Sequence, residues 1–92
     1  MSKERGIIKH FFVGQNMEVK DVVRKLGDGK DVVINDVGVI HGIRAVGDDI
    51  AYVVEFDIEL EHTSPYGSKW KSKKNSFIIF HNIDKDKIVN VV

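Results

Sequence analysis

The chain of 92 residues contains no cysteine and only one proline. Without cysteine it can form neither a disulfide nor a thiolate zinc site, a composition typical of proteins of reducing compartments. Its longest apolar runs, "IAYVV" and "FIIF", are too short to span a bilayer, and the first residues lack the apolar core of a signal peptide. The sequence therefore predicts a cytoplasmic protein with no membrane partner; a viral accessory protein in a host cytoplasm has the same signature.

The chain also lacks a net charge, because 14 basic side chains balance 14 acidic ones. The charges are unevenly distributed: residues 1–14 carry a net +2, residues 15–62 a net −6 and residues 63–92 a net +4. Such asymmetry indicates either a nucleic-acid surface or two parts that pair with each other. The proportions of hydrophobic (42%) and charged (30%) residues are those of one small globular domain, here residues 1–92.

Hydrophobic periodicity predicts a strand at residues 6–14, a helix at residues 16–27 and β-structure in the rest of the chain. The helix prediction depends on a capping asparagine, Asn16, a terminal Gly27 and an apolar stripe at helical spacing, formed by Val19, Val22, Val23 and Leu26. The later strands are predicted at 31–34, 37–46, 50–62, 75–81 and 87–92, with turns between them and a single helical turn in "IDKD". Gly38 and Gly42 lie inside a strand pattern, which indicates a bulge or a sharp bend.

The segments "VINDVGVIHGIRAVGDDIAYVV" and "FIIFHNIDKDKIVNVV", following a helix, resemble in their spacing the small β-barrels of the Sm-like and Src-homology (SH3-like) kind. The resemblance covers residues 17–92. It implies an α+β, mostly-β fold: a small SH3-like/Sm-like β-barrel with one N-terminal helix and a long protruding β-hairpin. Val37 and the pair His81-Asn82 depart from the family's pattern at RNA-contacting positions, so the resemblance implies the fold and not the function.

The long hairpin is predicted from the alternation in "IAYVVEFDIELEH", in which one face is apolar and the other is a row of carboxylates. The turn Ser64-Pro65-Tyr66-Gly67 has the signature of a type I turn followed by a glycine bulge. In that register Glu61 faces Lys71 and Glu59 faces Lys73 as cross-strand ion pairs; on the other face the predicted pairs are His62 with Trp70, Leu60 with Ser72, Val54 with Ile78 and Tyr52 with Phe80. A loop without the bulge shifts every pair by one residue and leaves the carboxylates without cations.

The predicted ion pairs do not account for the aromatic residues at the tip of the hairpin. Tyr66, Trp70 and His62 lie there, together with Lys69 and Lys74, for which the register supplies no acidic partner. Three interpretations stay open: Trp70 folds back onto Leu60 and the helix, the tip anchors a protein partner, or it stacks on nucleic acid.

Catalytic and metal-binding patterns receive little support. His10, His41 and His81 each lie in a predicted strand without the spacing of metal ligands. "GDGKD" lacks the Walker spacing and is predicted to be a turn. We therefore expect no metal, no cofactor and no enzymatic activity.

The sequence as a whole predicts a non-enzymatic binding module, a small protein-interaction regulator or inhibitor of a larger machine that acts through the hairpin tip. The alternative is a nucleic-acid-binding barrel that uses the same tip together with Lys3, Arg5 and Lys9. A third hypothesis is a homo-oligomer, because an acidic face and a basic tip on one molecule are complementary and barrel edges can pair.

Overall fold

A computed structural model of the chain describes residues 11–90, without the side chain of residue 90. Seven strands make up most of this part: β1 (Asn16–Lys25), β2 (Asp31–Val46), β3 (Asp49–Phe56), β4 (Leu60–Thr63), β5 (Lys69–Ser72), β6 (Asn75–Phe80) and β7 (Ile88–Asn90). A 3₁₀ turn (Lys85–Lys87) precedes β7, at the place where a single helical turn is predicted. Nowhere between residues 11 and 90 does a helix reach the length and apolarity needed to cross a membrane.

The strands form an antiparallel five-stranded sheet in the order β6-β3-β2-β1-β7 and a separate two-stranded sheet of β4 and β5. The larger sheet curls around the core, but it is not closed. Within residues 11–90 no backbone ladder joins β6 to β1 or β7. The predicted closed β-barrel is therefore wrong, and so is the α+β class, because the described chain contains no α-helix.

The segment predicted as the N-terminal helix is strand β1, paired with β2 on one side and with β7 on the other. A β-bulge explains the misleading spacing. Val19 faces Asp36 and Val22 faces Ile34, so two residues of β1 lie opposite one of β2. The extra residue brings both Val19 and Val22 to the buried face, which turns the period of two into an i, i+3 spacing. Asp21 at the bulge takes the left-handed conformation, with φ of 55°, and its N–H donates to Asn35 Oδ1.

Three other predicted boundaries also differ from the structure. The strand predicted at 50–62 is interrupted, because residues 57–59 lie between β3 and β4. The "ND" turn is absent, because β2 runs without interruption from Asp31 to Val46. Of the strand predicted at 6–14, the described residues 11–14 are not strand: they lead into a turn in which Gln15 N–H donates to the Phe12 carbonyl. Residues 6–10 and the last two residues of the predicted final strand lie outside the described part.

The core lies on the concave face of the sheet. Tyr52, Val54 and Phe56 alternate along β3 with no exposed surface, as the strand pattern predicts. The other buried members of this cluster come from the first strands, from β6 and from the segment before β1: Phe11, Met17, Val19, Val22, Ile34, Ile40 and Ile79. The Phe11 ring packs edge-on against Tyr52, with centroids 5.4 Å apart.

Gly38 lies where β2 passes from pairing with β1 to pairing with β3, and it is buried. A methyl group at this position would come within 2.6 Å of the Glu55 carbonyl oxygen and 2.7 Å of the Phe56 ring. Gly42 follows a second bulge, at His41, and has no such crowding. The bulge beside Gly42 is as the strand pattern predicts, whereas Gly38 marks a close approach of two strands that was not predicted.

Candidate functional site

The turn of the protruding hairpin has the predicted geometry. Gly67 N–H donates to the Ser64 carbonyl at 3.0 Å, and Ser64 N–H donates to the Ser68 carbonyl at 2.8 Å. Gly67 takes φ of 88°, the left-handed conformation of a bulge after a type I turn. Strands β4 and β5 consequently pair Glu61 with Lys71 and His62 with Trp70, which is the predicted register. We call residues 60–72 the tip hairpin.

The register changes at the base of the tip hairpin. Strands β3 and β6 pair Val54 with Phe77 and Tyr52 with Ile79, so the predicted pairs of Val54 with Ile78 and Tyr52 with Phe80 are wrong. Residues 57–59 on one side face only residues 73–74 on the other, and this inequality shifts the pairing by one residue.

The side chain of Asn75 forms hydrogen bonds at this irregularity. Its Nδ2 donates to the Ile58 carbonyl at 2.7 Å, and its Oδ1 accepts a hydrogen bond from Ser72 Oγ at 2.7 Å. The carbonyl of Ile58 lies at the point where the ladder is interrupted. Asn75 therefore connects the tip hairpin to the five-stranded sheet.

The two predicted cross-strand ion pairs do not form salt bridges in the structure. Glu61 and Lys71 face each other in the ladder, whereas Glu59 and Lys73 lie in the unpaired segments between the two sheets. Among the ion pairs of the described residues, none joins Glu61 to Lys71 or Glu59 to Lys73. The turn geometry therefore accounts for this register without a salt bridge between Glu61 and Lys71.

Trp70 is held by a stack on His62. The two rings are 5.3 Å apart between centroids and inclined by 21°. His62 Nε2 lies 2.7 Å from Ser72 Oγ and 3.3 Å from Asn75 Oδ1. Because Ser72 Oγ donates its proton to Asn75, Nε2 of His62 carries the hydrogen and donates to Ser72. Half of Trp70 (52%) nonetheless stays exposed.

A groove separates the tip hairpin from the turn between β1 and β2. It has a volume of about 180 Å³ and is lined by Leu26, Gly27, Asp28, His62, Thr63 and Trp70. The β1–β2 turn has the same construction as the tip turn: Gly29 N–H donates to the Leu26 carbonyl, Leu26 N–H donates to the Lys30 carbonyl, and Gly29 takes φ of 90°. "GDGKD" is thus a turn, as predicted.

The sequence does not predict that the β1–β2 turn and the strands of the tip hairpin line one groove. Leu26 was assigned to a helical stripe, and Asp28 to a turn without a role. Trp70 stacks on His62 and lines the groove opposite the β1–β2 turn. Because the described chain contains no α-helix, the interpretation in which Trp70 folds back onto a helix is wrong. No signal in the sequence relates residues 26–28 to residues 62–70, because which segments line one groove depends on how the sheet curls.

The lysines of the tip hairpin are separated from its tryptophan. Side chains alternate across a two-stranded ribbon, so Lys69 and Lys71 project from the face opposite Trp70. Lys74 lies in the irregular segment before β6 and is exposed. Tyr66, in the turn itself, is 94% exposed. The five residues predicted as a partner-binding cluster are thus not brought together. His62 and Trp70 share one face, Lys69 lies on the opposite face, Tyr66 lies in the turn and Lys74 lies outside the tip hairpin.

The other histidines have local partners. His41 Nε2 lies 3.2 Å from a Glu55 carboxylate oxygen, and His81 Nδ1 lies 2.9 Å from the hydroxyl of the buried Tyr52. Burial of this phenol raises the pKa of Tyr52 above its ordinary value. Among residues 11–90, no three histidine or acidic side chains come together as metal ligands. His10, together with Lys3, Arg5 and Lys9 of the nucleic-acid hypothesis, lies outside the described residues.

Comparison of the chain with protein-family models, with curated proteins and with solved structures finds no match.

Proposed function

We propose that the protein is a non-enzymatic binding module that contacts a protein partner through the tip hairpin and regulates or inhibits a larger assembly. The observation that carries this proposal is the exposure of Trp70, which lines a preformed groove, and of Tyr66 in the turn of the same hairpin. Tryptophan and tyrosine are the residues most enriched among interface anchors, because they bury a large area at a low cost in side-chain entropy. Trp70 is already ordered by its stack on His62, which further reduces that cost.

The arrangement of charge favours a protein partner over nucleic acid. A module that binds single strands combines stacking rings and phosphate-binding cations along one surface. Here Lys69 and Lys71 project away from Trp70, and, in the part of the chain that the structure describes, the charged side chain that lines the groove is the carboxylate of Asp28. A strand stacked on Trp70 would therefore place its phosphates beside an acidic group. Nucleic acid remains the second candidate, because the four lysines of residues 69–74 are all exposed.

The test is capture from extract of the native cells on the immobilised protein, with and without nuclease. A protein partner should be retained after nuclease treatment and lost with Trp70→Ala and with Tyr66→Ala. Ile83→Ala is the matched control, because it removes an apolar side chain that is 74% exposed but lies outside the tip hairpin. Retention that disappears with nuclease, or that survives both tip substitutions, contradicts the proposal.

Salt dependence separates the two candidates. Binding to nucleic acid falls steeply with the logarithm of salt concentration, and Lys69→Ala combined with Lys74→Ala should make that slope shallower. Binding through aromatic anchors should show a shallow slope that the two lysine substitutions leave unchanged. We place this activity in the cytoplasm and without a cofactor, which the lack of cysteine and the ordinary composition support.

A further inference from the structure

The side chains that line the groove point to a particular kind of occupant. Two aromatic rings, His62 and Trp70, and one leucine supply an apolar surface, and Asp28 supplies a single negative charge. Among residues 11–90, those that line the groove include no lysine or arginine. A flat cation with apolar faces fits this combination, because an indole attracts cations to its face and a carboxylate pairs with the guanidinium of arginine through two parallel hydrogen bonds.

The carboxylate of Asp28 has capacity for such a partner. Its Oδ1 accepts a hydrogen bond from Lys30 N–H at 3.0 Å, which orients the side chain, and only 19% of that side chain is exposed. Its Oδ2 lies 4.0 Å from Lys30 Nζ, too far for a hydrogen bond. The Lys30 side chain is 66% exposed and can move away without losing a buried contact. A guanidinium can therefore replace this ammonium at Oδ2.

The volume of the groove limits the size of the occupant. At about 180 Å³ it is smaller than sites for whole small molecules, which occupy roughly 300–1,000 Å³. It is large enough for the end of one side chain. Because His62 is fixed by Ser72 and Asn75, the aromatic wall exists before binding and need not be ordered by the ligand.

We infer that the groove receives an arginine side chain of the protein partner, with the guanidinium against the indole of Trp70 and paired with the carboxylate of Asp28. This inference rests on the proposed function and names the chemistry that the partner presents. It does not depend on the lysines of the opposite face.

The chain's single tryptophan makes the groove directly observable, since Trp70 alone supplies the indole fluorescence and the indole N–H resonance in NMR spectra. The probes are a capped tripeptide with a central arginine and the same peptide with citrulline, the neutral analogue of arginine. The arginine peptide should shift both Trp70 signals saturably, and the citrulline peptide should bind about tenfold more weakly or worse, the loss of one charge-assisted pair. Equal affinity for the two peptides, or no shift with either at millimolar concentration, overturns the inference.

Two substitutions with opposite expected effects sharpen the test. Asp28→Asn keeps an oxygen that can accept from Lys30 N–H but removes the charge, so the arginine peptide should bind about tenfold more weakly. Lys30→Ala removes the competing ammonium and should strengthen binding. Asp86→Asn, outside the groove, should change nothing. Unchanged affinity in Asp28→Asn contradicts the inference.

Capture experiments distinguish this failure from a failure of the proposed function. If Trp70→Ala abolishes capture of the partner while Asp28→Asn preserves it, the tip hairpin is the binding surface but arginine is not its ligand. If both substitutions preserve capture, the proposed function itself is wrong.

Discussion

The guanidinium of Arg24 on β1 lies 2.6 Å from the carboxylate of Asp84, between Nη2 and Oδ2, in the connection from β6 to β7. Arg24 Nε also donates to the Ile78 carbonyl, and Asp84 Oδ2 also accepts from Phe80 N–H. Strands β1 and β6 are not neighbours in the sheet, so these side chains bridge the opening that a backbone ladder would close in a barrel. They also occupy backbone groups on the edge of β6 that could otherwise pair with another chain.

Arg24→Ala should destabilise the protein by about 3 kcal/mol, because it leaves the carboxylate of Asp84 buried without its cation. Only 7% of the Asp84 side chain is exposed. Urea unfolding followed by circular dichroism measures this change. The control is Lys25→Ala, which breaks the neighbouring pair of Lys25 with Asp31, whose side chains are 67% and 58% exposed. That substitution should cost less than about 1 kcal/mol. Equal losses in the two variants would show that Arg24 does not hold the sheet edges together.

Gly38→Ala should destabilise the protein by about 2–3 kcal/mol or prevent folding. The new methyl group would lie 2.6 Å from the Glu55 carbonyl oxygen, in a place where the backbone must move to admit it. Gly42→Ala is the matched control in the same strand, since its methyl group would meet nothing closer than 3.9 Å. It should change the free energy of unfolding by less than about 1 kcal/mol. Thermal unfolding of both variants measures these changes. A Gly38→Ala variant as stable as wild type would contradict the close approach of β2 and β3.

Acid should weaken the fold through Asp49. Desolvation of this carboxylate opposes its ionisation, but hydrogen bonds from the N–H groups of Asn82, Ile50 and Ile83 outweigh it, so the pKa of Asp49 lies below its ordinary value of 3.8. A lowered pKa in the folded state contributes stability that is complete above the ordinary pKa and is lost as the pH falls through the folded value.

The measurement is the free energy of unfolding of wild type and Asp49→Asn between pH 7 and pH 2. Wild type should be the more stable at pH 7, and its advantage should disappear at the acid end of the range. An advantage that stays constant across the range would show that the charge of Asp49 does not act through these hydrogen bonds.

The bulge in β1 predicts opposite effects of two substitutions at Asp21, where φ is 55°. Asp21→Gly should stabilise the protein by up to about 1 kcal/mol, because glycine takes the left-handed conformation without steric cost. Asp21→Val should destabilise it by about 1–2 kcal/mol, because a β-branched side chain is strained there. Chemical denaturation of both variants provides the comparison. A valine variant as stable as wild type would place the bulge elsewhere in the strand.

This bulge also shows where prediction from the sequence reached its limit. The later strands were predictable, because alternation and turn residues are local signals, as in the buried face of β3. The helix prediction was wrong because Val19 and Val22 are three residues apart and both buried, a spacing that an amphipathic helix and a bulged strand share. The pairing of β1 with both β2 and β7 overrides the local preference for a helix.

The tip hairpin likewise has features that could be predicted from the local sequence and features that could not. Its turn and the facing of Glu61 with Lys71 followed from Pro65 and Gly67, because a type I turn with a glycine bulge allows one register. The change of register at the base of the tip hairpin could not be predicted, because it depends on the hydrogen bond from the Asn75 side chain to a backbone carbonyl. The groove between the tip hairpin and residues 26–28 could not be predicted either, since no local sequence pattern indicates which segments lie close together in space.

The most direct test is the pattern of nuclear Overhauser contacts at the tip hairpin. The turn at Gly67 and the curl of the sheet predict contacts between the backbones of Glu61 and Lys71 and between the Trp70 ring and both His62 and Leu26. Contacts that instead join Leu60 to Lys71, or a Trp70 ring that meets neither neighbour, would contradict the proposed binding surface.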